Sequence, residues 1–300
     1  TAAQSASYGV TCSPGTFGNS ACQPHNGTAN EVIGRGSLVF KRPDGKFFIV
    51  AGQGGTTGGF STSAPPGNTA PQSFVTNIYD PVGSTFATGP TLPGGTAPGR
   101  GSQLIPLPNG NVLIMHGNYS NLTSIYNPIA NTVMAGPGTS APIGMGSIVI
   151  PRPNGTWLVV PGVTSDICAA IQGVSLIFDP YAMTFYNGGS LVTTSGTGPG
   201  AFAFQRSDGM WVIVRGAGAA SCVANAGFHV YNPFTNVMAA TLNLATAVSW
   251  GANAMQRPDG AWLITNGNNT TATQIYLEKA GNVNNSGVFS GTAFNSAGIA

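Results

Sequence analysis

A glycine triplet, Gly-x8-Gly-x6-Gly, recurs five times in this chain with both spacings fixed: Gly36/Gly45/Gly52, Gly101/Gly110/Gly117, Gly146/Gly155/Gly162, Gly200/Gly209/Gly216 and Gly251/Gly260/Gly267. The middle glycine always follows Asp or Asn. Four times it closes Pro-Asp/Asn-Gly (Pro43-Asp44-Gly45, Pro108-Asn109-Gly110, Pro153-Asn154-Gly155, Pro258-Asp259-Gly260), and once Ser207-Asp208-Gly209. Proline presets φ, the Asx side chain bonds back to the backbone, and glycine takes the left-handed conformation, which together make a tight hairpin loop. A strand must enter each loop and another must leave it. The leaving segment is apolar each time: Phe47-Phe48-Ile49-Val50, Val112-Leu113-Ile114-Met115, Trp157-Leu158-Val159-Val160, Trp211-Val212-Ile213-Val214 and Trp262-Leu263-Ile264. Runs without polar alternation fit strands covered on both faces.

A third element follows at variable distance: Ile78-Tyr79-Asp80-Pro81, Ile125-Tyr126-Asn127-Pro128, Ile177-Phe178-Asp179-Pro180, Val230-Tyr231-Asn232-Pro233 and a degenerate Ile275-Tyr276-Leu277-Glu278. The aromatic belongs to a strand, and Asp/Asn-Pro ends that strand in a turn. From each aromatic to the next unit's first glycine there are 22, 20, 22 and 20 residues, room for a fourth strand. The unit is thus four strands in about 45 to 55 residues, the size of a propeller blade.

These segments resemble the kelch repeat, most closely from Arg35 to Pro90 and from Arg100 to Pro137. The likeness runs over about residues 34 to 290 and implies an all-β, kelch-like β-propeller. The chain departs from the family in two ways. The double glycine after the second strand is a single glycine, and the tryptophan of the fourth strand is Phe86, Val133, Phe185 or Val237. Five blades are recognisable; Gly298 stands where a sixth would begin, so a sixth blade closed by both termini is the alternative to a ring of five. The expected division is an N-terminal segment (1–33), the propeller (34–290), and a tail or first closing strand (291–300). The segments Thr1 to Ile33 and Gly287 to Ala300 are expected to bridge the ring's closure or to pair with another subunit.

Composition bounds the function. Charged residues make up 6% of the 300 positions, against roughly 25% in ordinary soluble domains. The net charge is +2 and ten Lys and Arg are scattered along the chain, so no basic stripe marks a nucleic-acid partner. There is no long uninterrupted apolar window for a membrane span. Cys12, Cys22, Cys168 and Cys222 form an even set that suits two disulfides in an extracellular setting. Cys168 and Cys222 each lie six residues beyond a third glycine, so they are expected to join neighbouring blades, leaving Cys12 to Cys22 as a small loop.

Five of the eight acids (Asp44, Asp80, Asp179, Asp208, Asp259) are turn residues. Glu31, Asp166 and Glu278 stand alone in sequence, which leaves no paired carboxylates for glycoside hydrolysis. His25, His116 and His229 have no ligand at metal spacing. A copper oxidase similar to galactose oxidase needs two His and two Tyr that converge, and ranks third; no metal or cofactor is expected. Arg35, Arg100, His116, Asp166 and Arg215 are expected at the end of the blades that carries the loops of variable length, as a contact face for a glycan or a subunit. Asn26, Asn118, Asn121, Asn154, Asn268, Asn269 and Asn284 head Asn-x-Ser/Thr sequons. The expected function is a non-catalytic, secreted, self-assembling subunit of a filament or surface layer, with a glycan- or protein-binding propeller as the alternative.

Overall fold

The computed structural model describes residues 36–52, 76–94, 98–165, 168, 172–190, 196–218, 222–239, 242–267, 270–278 and 282–288. They form five antiparallel sheets in chain order. The first holds β1 (Leu38–Lys41), β2 (Phe47–Val50), β3 (Thr76–Asp80) and β4 (Thr85–Thr88). The second holds β5 (Gln103–Pro106), β6 (Val112–Met115), β7 (Thr123–Asn127) and β8 (Thr132–Ala135), and the third β9 (Ile148–Pro151), β10 (Trp157–Val160), β11 (Val174–Asp179) and β12 (Thr184–Ser190). The fourth holds β13 (Phe202–Gln205), β14 (Trp211–Val214), β15 (Asn225–Asn232), β16 (Val237–Met238) and β17 (Leu242–Val248). The fifth holds β18 (Asn253–Gln256), β19 (Trp262–Thr265), β20 (Ala272–Leu277) and β21 (Asn282–Val288). Each glycine unit of the sequence is one sheet.

Two details differ from the expectation. The fourth sheet has a fifth strand, because β16 pairs only with Tyr231 and Asn232 at the end of the eight-residue β15. The free half of that edge takes β17, with Asn225, Gly227 and Phe228 opposite Val248, Asn243 and Leu242. Gly287, grouped by sequence with the terminal segment, instead lies in β21 opposite Thr273. The N-terminal segment, with Cys12 and Cys22, falls outside the described residues.

The loop chemistry is as the residues dictate. In the first hairpin Arg42 and Lys46 close the loop through a 2.7 Å backbone bond, Asp44 accepts from the Lys46 amide at 3.1 Å, and Gly45 sits at φ 83°. The Asx-Pro turns work the same way. Asp80, Asn127, Asp179 and Asn232 each accept two backbone amides two and three residues on.

Consecutive sheets pack face to face through four apolar clusters. The first and second sheets share Phe48, Val50, Ile114 and Tyr126, with the Phe48 and Tyr126 rings stacked 3.8 Å apart. The second and third share Ile105, Leu113, Val159 and Phe178, the third and fourth Ile150, Leu158, Ile213 and Tyr231, and the fourth and fifth Phe204, Val212, Ile264 and Tyr276. Each seam also carries one contact of fixed position. Arg42, in the first sheet's hairpin, donates to the Tyr126 hydroxyl at 2.8 Å and to Asn131 Oδ1 at 3.0 Å. Arg152 reaches the Tyr231 hydroxyl, which donates to Asn236 Oδ1 at 2.9 Å. Arg206 lies against the Tyr276 hydroxyl. At the one seam where the arginine position is Leu107, the aromatic is Phe178 and the asparagine position is Met183, and the three pack together. At that seam apolar groups replace the arginine, the tyrosine hydroxyl and the asparagine together, so none of those polar atoms has to be satisfied between the two sheets.

Two predictions follow from this packing. Gly45 has φ 83° and open space around a Cβ, whereas a Cβ on Gly101 would lie 1.8 Å from the Gly144 carbonyl oxygen of the next sheet. Gly45→Ala should therefore cost about 1–2 kcal/mol, the price of a left-handed L-residue, and Gly101→Ala several times more, read as shifts of the urea midpoint. Burial pushes the hydroxyls of Tyr126, Tyr231 and Tyr276 above the ordinary tyrosine range, against the opposing pull of Arg42, Arg152 and Arg206. Their neutral forms then favour the fold below a pH of about 10, and that contribution is lost as pH rises from there through the raised folded values. Stability measured from pH 9 to 12 should fall less steeply when the three are replaced together by Phe.

Candidate functional site

Three parts of the surface bear on function: the end of the sheets that carries the long loops, the hairpin end, and the outward faces of the first and fifth sheets. At the loop end Cys168 and Cys222 are joined by a disulfide across the third and fourth units, as their equivalent positions lead one to expect. The bridge packs with Met145, Val163 and Tyr119 in a small apolar cluster. The Arg100 guanidinium, half-buried, reaches the Met145 sulfur at 3.7 Å. Arg35 and Asp166 lie outside the described residues.

His116 and Arg215 are corrections to the expected contact face. Both are buried, so they lie beneath the loops and not on them. His116 shares a 2.7 Å hydrogen bond between Nε2 and Ser124 Oγ, both groups 0% exposed. Ser and His at this distance resemble the start of nucleophilic catalysis, but no surface reaches them. The cause is the strand register. Each follows directly on a second strand, β6 or β14, whose side chains are almost all buried, and is withdrawn from water with them. The fifth sheet repeats the device with different residues: Gln274 donates to Asn266 Oδ1 at 2.7 Å and to the Thr246 carbonyl at 2.7 Å, and accepts from the Thr246 amide at 3.0 Å, pinning β17. Nothing in the sequence marked Ser124 or Gln274, and His229, weighed there only as a metal ligand, is buried. The only signal of Ser124 and Gln274 is a polar residue within an apolar strand, eight residues after His116 and Asn266 respectively.

Glu278, alone in sequence, joins two sheets. It accepts from the Ser207 amide at 2.9 Å, from the Ser207 hydroxyl and from Trp262 Nε1 at 3.2 Å. Burial acts to raise its pKa, but these hydrogen bonds and Arg206 outweigh it and hold the carboxyl below its ordinary range. Among the described residues no three His, Cys, Asp or Glu gather where a metal ion could sit, and no helix is long and apolar enough to cross a membrane.

At the hairpin end of the second and third sheets an open hollow of about 290 Å³ is lined by prolines, Leu107, Arg152, Trp157 and Tyr181. Tyr181 is largely exposed. Of the sequons, Asn154 is exposed, Asn121 donates its amide to the Thr139 carbonyl at 2.8 Å, and Asn118 has φ 51°. Asn284 lies in β21 opposite Ile275, while Asn26, Asn268 and Asn269 are outside the described residues.

The outward faces are the most distinctive surface. Ile105, Ile150 and Phe204 occupy one position of the first strand in three sheets and are 0–3% exposed, while Met255 at the same position of the fifth sheet is 59% exposed. On the opposite face Val39 of the first sheet is 58% exposed. Tyr79 is half-buried where Tyr126, Phe178, Tyr231 and Tyr276 are buried. Among the described residues no apolar cluster joins the fifth sheet to the first.

No family model matches the chain. No curated protein matches it either. Among solved structures it is similar to the crystal structure of the extracellular domain of a putative one-component system from B. thetaiotaomicron, at 10% identity and a TM-score of 0.49, over 83% of this chain and 29% of that one. The chain spans less than a third of that protein's length.

The bridge closes a segment of 54 residues. Replacing both Cys168 and Cys222 by Ser should lower the unfolding free energy by about 4 kcal/mol through the freed unfolded chain, measured by urea denaturation of the folded double variant.

Proposed function

We propose that the five sheets are consecutive blades of a kelch-like β-propeller, and that the chain is a non-catalytic extracellular structural protein that assembles with copies of itself. The observation that carries this reading is the pair of uncovered outward faces. Met255 and Val39 expose, on the fifth and first sheets, the faces that interior sheets bury against a neighbour. Large apolar side chains left open in this way mark a contact surface. Three features support it. The disulfide fits an oxidising compartment. With 6% charged residues and a net charge of +2, little repulsion opposes association. Among the described residues His116 and His229 are buried, His116 on Ser124, and the turn acids accept from backbone amides. The hollow bearing Trp157 and Tyr181 favours a second reading, a glycan-binding propeller, because aromatic side chains beside a hydrogen-bonding arginine suit a sugar ring.

Sedimentation velocity and negative-stain electron microscopy of the purified chain test the first reading. The expected outcome is assemblies that grow with concentration and change little between low and high salt, since apolar contacts are not screened. A monomer at all concentrations that binds sugars on a glycan array would establish the second reading in its place.

A further inference from the structure

We infer that Arg215, at the loop end between the third and fourth sheets, anchors a binding site for an oxyanion, a carboxylate or a tetrahedral group, which its guanidinium fork fits. The site is separate from the outward faces on which the self-assembly reading stands.

Strand register places the group. Ile213 pairs with His229 as Ile114 pairs with Ser124 and Ile264 with Gln274. Arg215 therefore stands where the second sheet has His116 and the fifth has Asn266, and His229 where they have Ser124 and Gln274. In those two sheets the pair is closed by a 2.7 Å hydrogen bond. In the fourth, both members are basic. Arg215 is 8% exposed, and its Nε is sealed from water without a hydrogen-bond partner. Among the described residues no group accepts from its guanidinium or forms an ion pair with it. Desolvation draws its pKa below the ordinary arginine value, and no acid opposes that shift. The described acids are held at the hairpin end. Asp44, Asp208 and Asp259 pair with the arginines of their own turns and Asp80 with Lys46. Asp179 accepts backbone amides, and Glu278 is held by Ser207 and Trp262.

The surroundings agree with the charge. Ile213 and Tyr231 belong to the cluster shared with the third sheet, and by the two-residue alternation of a strand Arg215 and Gly227 lie on that same face. A Cβ on Gly227 would stand 2.9 Å from Arg215 Nη1 and 3.0 Å from Asn225 Oδ1, so glycine is what leaves the guanidinium its place. Asn225 Oδ1 is already taken by the Gly227 amide at 2.6 Å. Thr197 buries a hydroxyl that has no partner, and the next residue, Gly198, donates its amide to the Arg215 carbonyl at 2.8 Å. This corner thus holds donors in excess of acceptors. A buried cation is ordinarily paired, and an oxyanion supplies the missing charge and the missing acceptors together.

The test is thermal melting of the full chain at constant ionic strength, with sodium chloride replaced stepwise by sodium acetate or sodium sulfate, for the parent, R215M and R257M. The parent should show a melting temperature that rises and saturates, at concentrations at least about tenfold below those that affect R215M. R257M, which loses an arginine at the opposite end, should respond as the parent does. A stronger response to acetate identifies the ligand group as a carboxylate, and a stronger response to sulfate as a tetrahedral anion. Should R215M not fold, R215K carries the comparison, its response shifted to about tenfold higher concentration because an ammonium lacks the fork. An equal response of parent and Arg215 variant is the general effect of excluded salts; it means an adventitious ion only and overturns the site. A parent indifferent to both anions overturns it as well, and a lower melting temperature of R215M, matched by D166N or E31Q, then names an internal carboxylate as the partner. Sedimentation decides self-assembly and the melting response decides this site, so either reading can fail without the other.

Discussion

A four-stranded sheet of four-residue strands has two apolar faces and no thickness in which to bury them, so each sheet here depends on the sheets beside it. The second strands make this plain. Val112 to Met115 are buried throughout, although β6 itself lies in a sheet one residue thick. Each side chain withdrawn from water in this way contributes roughly 1.5–3 kcal/mol, and almost all of that arises between sheets. Stability is consequently a property of seams, as in other stacked repeats where each unit contacts only its neighbours.

Apolar packing alone does not fix how far one sheet slides along the next. The contact between the hairpin arginine and the following tyrosine does, because a guanidinium and a phenol meet at one height only. Arg42, Tyr126 and Asn131 form a closed set of hydrogen bonds, and substitution of any one would strand the other two. The seam with Leu107, Phe178 and Met183 shows the other self-consistent solution.

The loop end follows a different logic. The strand ends beneath its variable connections hold polar side chains in sealed pairs, His116 with Ser124 and Asn266 with Gln274. The Cys168–Cys222 bridge joins the loops of the third and fourth units covalently.

The hairpins, their apolar second strands and the Asx-Pro turns were legible in the residues, because glycine at positive φ, proline and Asx side chains act within a few positions along the chain. The disulfide between equivalent loops was legible for the same reason, once the repeat set the register. Three things were not. The burial of His116 and Arg215 depends on which strand face meets a neighbouring sheet. The pairing of β17 depends on β16 being too short to cover β15. The match of Arg42 to Tyr126, 84 positions apart, depends on two sheets lying side by side. Local chemistry determined the unit; only the packing of one unit on the next decided which of its residues are surface and which are seam.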